Sequence, residues 1–249
     1  MAVDRERFGA GGVPPWVHRE HVARWEFASG FVSGRRVADC ACGVGDGTAM
    51  FASAGAASVR AFDVSPDAVA ATTQRCAALD TVEVAEASAA ALPLEDASID
   101  VFVCLETIEH VADDHRLVEE LARVVADDGV LICSTPNRSV TMPGKTISDA
   151  PWNPFHVREY SHEEFATLLG ARFGTIEMFG QNPRRGWRVR VMAALGRVLP
   201  GNLGGRLTSV LKLPRLAFDR EHHHAVVNLP AGGTCEYLVA VCRHPRRSP

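Results

Sequence analysis

The chain has 249 residues, 47% hydrophobic and 22% charged, the composition of a globular protein with one sizeable core. Its net charge of −4 excludes a polyanion binder acting through overall charge. No uninterrupted apolar run reaches the roughly 18 residues that a membrane span requires.

The opening stretch MAVDRERFGAGG lacks the apolar core of a secretory signal. The seven cysteines are scattered and odd in number. Cys104, Cys133 and Cys242 sit in apolar runs, where a free thiol acts as a small hydrophobe. Cys40 and Cys42 stand too close together for a structural zinc site by themselves. A reduced, cytoplasmic protein is the expectation.

Residues 1–17 are rich in Gly and Pro and read as a lid, with an irregular helix over 18–32. A first strand spans 36–41 and a helix 46–54, closed by Gly55. A second strand spans 58–63. Ser65-Pro66 opens the next helix, which runs to Leu79, with Pro placed where its missing N–H costs nothing. Thr81–Ala85 is a third strand, and Glu86–Ser98 a loop. Ile99–Leu105 is nearly continuous apolar sequence, as in a strand buried on both faces. Asp113–Ala126 has helical apolar spacing, and a turn at Asp128-Gly129 leads into a fifth strand, Val130–Thr135. Strands alternating with helices predict an α/β fold: a Rossmann-like, seven-stranded, mostly parallel sheet with helices on both faces.

Beyond this the pattern changes. Pro136–Pro154 reads as loop, and Ser161 and Glu164 form a capping box for a helix over His162–Leu169. Gly174–Gly180 and Cys235–Arg243 are the last two strands. Between them lies an insertion, 182–230, with helical stretches near 187–199 and 203–213. Residues 182–218 hold eight Lys or Arg and no acid. The expected layout is therefore 1–34 as lid and helix, 35–181 with 231–245 as the main domain, and 182–230 as a basic helical cap.

Val37–Thr48 (VADCACGVGDGT) combines a strand ending in Asp39, a turn through Gly43, Gly45 and Gly47, and a helix N-terminus. Such a turn presents unpaired backbone N–H groups to a ligand at close range. Asp63 ends the next strand, where an acid can accept bonds from ribose hydroxyls. Thr48 stands where a dinucleotide fingerprint would place a third glycine, which disfavours a dehydrogenase.

With VADCACGVGDGT, RAFDVSPDAV, ALPLEDASIDVFVCLETIEHV, LARVVADDGVLICSTPN and NPFHVREYSHEEF in order, the chain resembles class I S-adenosylmethionine-dependent methyltransferases. The resemblance covers roughly 35–180 and the last strand, and is nearest to O-methyltransferases of quinol precursors and sugars. It implies that Asp39 and the Ala41–Gly45 turn, including Gly43, hold the methionine part of the cofactor. Asp63 would take the ribose, and Val64 would flank the adenine. Ser88 stands where the family often has an acid for the adenine amino group, and Ala41 where it commonly has glycine. Leu105 and Glu106 would face the methyl donor.

Glu106-x-x-Glu109-His110 with a distant His156 resembles the divalent-metal site of small-RNA 2′-O-methyltransferases and catechol-type O-methyltransferases. These four residues suit Mn²⁺ or a later metal better than Mg²⁺. Alternatively, His110 is a base without metal, or has a structural role. The catalytic candidates are thus His110, His156 and Glu106. The expected activity is methylation of a hydroxyl on a sugar, glycoside or phenolic precursor. The alternatives are an RNA 2′-O-methyltransferase and a non-catalytic cofactor-binding subunit.

The expected partner is a small-molecule acceptor, with no nucleic acid. The basic stretch 182–218 offers contact with an anionic ligand or membrane surface. Trp152 and Trp187 are candidates to stack on the acceptor, and His222–His224 reads as a polar loop.

Overall fold

The structure, a computed structural model, describes residues 15–184, 224–229 and 234–247. The two helical stretches expected in the insertion, Trp187, His222 and His223 lie outside the described residues, as does most of the expected lid. The strands are β1 (Arg36–Cys40), β2 (Ser58–Asp63), β3 (Val82–Glu86), β4 (Ile99–Leu105), β5 (Val125–Pro136), β6 (Phe173–Arg184), β7 (Val227–Asn228) and β8 (Thr234–Pro245). They form one sheet in the order β3-β2-β1-β4-β5-β8-β6-β7. Pairings among β1 to β5 are parallel, whereas β8 is antiparallel to β5 and β6, and β7 to β6. The sheet has one strand more than expected, because Val227 and Asn228 of the insertion add an edge to β6 at Phe179 and Gly180.

The helices are α1 (Pro15–Ser29), α2 (Asp46–Ser53), α3 (Pro66–Arg75), α4 (Asp114–Val124), α5 (Arg138–Thr141) and α6 (His162–Gly170). Alternate residues of the central strands enter two cores. Val101 and Val103 pack with Ala28 and Phe51 of α1 and α2 on one face. Phe102 and Cys104 pack with Leu117, Leu121 and Phe165 of α4 and α6 on the other. This two-sided burial explains why β4 reads as a continuous apolar run. All seven cysteines are free and buried. Among the described residues, no helix is long and apolar enough to cross a membrane.

Local signals account for most boundaries. The capping box of α6 is formed, with the Glu164 N–H 3.3 Å from Ser161 Oγ and the Ser161 N–H 2.7 Å from Glu164 Oε2. Pro66 opens α3 as expected, but the helix ends at Arg75 rather than Leu79. Strand β5 begins at Val125, directly after α4, where the sequence suggests a turn at Asp128-Gly129. A Cβ at Gly129 would lie 2.9 Å from the Ala126 carbonyl, so glycine here allows close backbone approach within an extended segment.

Candidate active site

The chain leaves β1 for β2 on one side, and reaches β4 on the other. In open α/β sheets, ligands bind outside the carboxyl ends of the strands at such a switch point. A cavity of about 900 Å³ opens there, and Asp39, Asp63, Leu105 and Pro136 reach it from β1, β2, β4 and β5.

One half of the cavity is the glycine loop. Ala41, Gly43 and Gly45 have φ of 57°, 58° and 83°, all in the left-handed region. A Cβ at Gly45 would also lie 2.8 Å from Thr72 Cγ2, so α3 packs directly on this turn. Asp63 secures the loop from β2, since its Oδ2 accepts from the Gly43 N–H at 3.1 Å and its Oδ1 from the Ser65 N–H at 2.9 Å. Each carboxylate oxygen has a second lone pair and can accept another donor.

Asp39 accepts from the Thr48 hydroxyl at 2.6 Å. Burial pushes its carboxyl up to about 7, against the opposing effect of the Thr48 hydrogen bond. Val64 is 56% exposed at the cavity edge, and Ser88 lines the same side.

The other half carries the acids and imidazoles. Glu106 follows β4 with φ 49°, and its N–H donates to both the carbonyl and hydroxyl oxygens of Ser134. The Ser134 hydroxyl donates to Glu106 Oε1 at 2.6 Å. A 3-10 turn, Ile108–His110, then brings Glu109 and His110 to the site. Glu109 is 1% exposed and accepts from the Thr135 hydroxyl at 3.0 Å. Burial, followed by the neighbouring Glu106 charge, raises its pKa well above the ordinary carboxyl range. His110 Nδ1 lies 2.9 Å from the Phe155 carbonyl, so the neutral ring carries its proton on Nδ1.

His156 arrives from the 142–160 segment, with its ring edge-on to His110 at 4.9 Å between centroids. One ligand atom from each of Glu109, His110 and His156 lies within 4.8 Å of the others. One carboxylate and two imidazoles form a donor set that fits a divalent transition metal. Glu106, the fourth residue of the set expected from sequence, is not among these three. Its carboxylate instead binds Ser134 and faces Arg24 of α1, with Arg24 Nε 4.0 Å from Oε1.

Helix α1 supplies residues that sequence reasoning did not assign to the site. Trp16, Val17, His21 and Trp25 line the cavity. A Cβ at Gly47 would sit 2.6 Å from Trp25 Nε1, so this wall rests directly on the start of α2. Burial, with the Arg24 and His18 charges, lowers the His21 pKa to about 2. The sequence cues were the lid expected over 1–17, which takes in Trp16 and Val17, and the aromatics on α1. Trp152 lines the cavity, together with Phe155 and Tyr237.

Residues 38–133 match the family described as "Methyltransferase domain". A probable S-adenosylmethionine-dependent methyltransferase of Mycobacterium tuberculosis strain H37Rv is 40% identical over 166 residues, which is 66% of this chain and 58% of that protein. A ubiquinone biosynthesis O-methyltransferase of Paraburkholderia phymatum is 34% identical over 119 residues, 47% of this chain and 51% of that protein. The chain thus spans little more than half the length of these curated relatives. The YcgJ protein of Bacillus subtilis, a solved structure, is 17% identical with a TM-score of 0.61, over 92% of this chain and 100% of that one, a likeness of fold.

Proposed function

We propose that this chain, whose residues 38–133 match a methyltransferase domain and which is similar to a probable S-adenosylmethionine-dependent methyltransferase, methylates a hydroxyl of a small molecule. The observation that carries this reading is a single cavity joining the Asp39–Gly45 loop and Asp63 to Glu109, His110 and His156. Asp39, Ala41, Gly43 and Gly45 would hold the methionine part of the cofactor, and Asp63 the ribose. Val64 and Ser88 would meet the adenine, while Leu105 and Glu106 would face the transferable methyl group.

A sulfonium is already an activated methyl donor, so the protein must align donor and acceptor and remove the hydroxyl proton. With its Nδ1 proton held by the Phe155 carbonyl, neutral His110 has Nε2 as its basic nitrogen and can take that proton. Glu109, His110 and His156 would hold a divalent metal, and their mutual proximity favours this second reading. When bound, such an ion lowers the pKa of an acceptor hydroxyl. Chelation followed by Mn²⁺ add-back separates the two: unchanged turnover contradicts the metal.

The acceptor side combines Trp16, Trp152 and Phe155 with carboxylates and imidazoles, which suits the apolar face and hydroxyl edge of a sugar or a phenol. The ubiquinone O-methyltransferase relative supports a hydroxyl acceptor. The basic residues of 182–218 would favour an acceptor carrying negative charge. Net charge of −4 weighs against RNA. A non-catalytic binder would have no need of Glu109, His110 and His156 beside the cradle. The test is S-adenosylhomocysteine production over a panel of sugars, glycosides and phenols. Turnover on a hydroxyl acceptor is expected, and cofactor binding with no turnover on any acceptor would favour the non-catalytic subunit.

A further inference from the structure

We infer that Glu159 and Asn153 act as opposed positioning residues for His156, the first presenting its ring to the metal site and the second covering the nitrogen the metal would use. This rests on the metal reading of Glu109, His110 and His156 and extends it to residues outside the ligand set.

Glu159 is 4% exposed, and its Oε1 lies 2.7 Å from His156 Nδ1. An ionised carboxylate has only acceptors to offer, so Nδ1 carries the proton and donates. That bond sets the tautomer in which Nε2 holds the lone pair. Glu159 is itself held: its Oε2 accepts from the Thr141 hydroxyl, and its carbonyl accepts from Arg138 Nε at 3.1 Å. The imidazole therefore rests on a carboxylate anchored from α5, the same kind of outer support that orients metal-binding histidines.

Nε2 is engaged from the other side. Asn153 Nδ2 lies 2.9 Å from it. The Asn153 amide is oriented by its own turn, since Oδ1 accepts from the Phe155 N–H at 3.1 Å. This places the NH₂ toward His156, so Asn153 donates to the lone pair that a cation would take. Metal entry then requires the Asn153 donor to leave Nε2, while the Glu159 bond stays in place. The same segment supplies the Phe155 carbonyl to His110 Nδ1 at 2.9 Å, so one turn supports both imidazoles.

The two roles have opposite signs, which a merely structural role would not reproduce. Co²⁺ alone is the probe, titrated into the full chain and followed by calorimetry and visible absorption. Glu159→Gln keeps the side-chain shape but removes the charge, and should weaken Co²⁺ binding about tenfold or more. Asn153→Ala removes the competing donor and should tighten it. Circular dichroism of each variant confirms the fold. Wild-type affinity in Glu159→Gln, or equal weakening in both variants, overturns the inference. Failure of the wild-type chain to bind Co²⁺ overturns it together with the metal reading. S-adenosylhomocysteine binding by the same sample reports the methyltransferase reading independently.

Discussion

Arg24 Nε lies 4.0 Å from Glu106 Oε1, joining the N-terminal helix to the residue that leaves β4 at the centre of the site. Arg24 is 1% exposed. Its guanidinium donates to Gln181 Oε1 at 2.5 Å and lies 4.6 Å from the centre of the Tyr237 ring. Its Nε has no hydrogen-bond partner among the described residues. The charge thus faces Glu106 at a distance that charge attraction spans and a direct hydrogen bond does not. Arg24→Met would leave Glu106 beside an uncharged wall and should cost about 3 kcal/mol of stability. Arg24→Lys keeps the charge and should lose less. Urea unfolding monitored by circular dichroism measures both, and equal losses would refute an electrostatic role.

Asp39 gives the fold a pH dependence of known sign. Its folded carboxyl keeps its proton up to about 7, whereas its ordinary value is 3.8. Between those values the folded chain binds more protons than the unfolded chain, so this group's contribution to stability falls as pH rises. Asp39→Asn removes the titration. The stability of Asp39→Asn relative to wild type should increase between pH 5 and pH 8, by a few kcal/mol at most. A constant difference across that range would mean that Asp39 is ionised throughout.

Ala41 is held at φ 57° in the glycine loop. A left-handed conformation costs a residue with a Cβ roughly 1–2 kcal/mol, and glycine avoids most of that cost. Ala41→Gly should therefore raise the unfolding free energy, by up to about 1 kcal/mol once the entropy of the unfolded glycine is included, and with it the unfolding midpoint. A lower midpoint would show that the Ala41 methyl group contributes more through packing than its backbone costs.

On the proposed reading, His110 and His156 act in transfer from the half of the cavity that faces the glycine loop. Replacing either by Ala should lower turnover by about a hundredfold or more. Affinity for S-adenosylhomocysteine should stay close to that of the wild type. Loss of that affinity alongside turnover would place these side chains against the cofactor instead.

Much of the site was legible because its signals are local. The Val37–Thr48 loop, Asp63 and the Ser161–Glu164 box each depend on a few neighbouring residues, and the structure forms the loop and the box as the sequence suggests. The α1 wall was not legible. That helix buries Glu20 and Arg24 as well as Ala23 and Ala28, so its apolar spacing is irregular. Which residues pair within NPFHVRE depends on the turn geometry of the loop, and the structure pairs Glu159 with His156. Glu106 was grouped with Glu109 from the sequence motif. In the structure Glu106 has a left-handed backbone and its carboxylate is bound by the Ser134 hydroxyl, contacts that the motif alone does not reveal.

The most direct test is calorimetric titration of S-adenosylhomocysteine into the full chain and into Asp63→Asn. The cradle formed by Asp39, the glycine loop and Asp63 predicts saturable one-site binding to the wild-type chain. It predicts at least tenfold weaker binding to the variant, about 1.4 kcal/mol. No binding to the wild-type chain, or equal affinity in Asp63→Asn, would contradict the account.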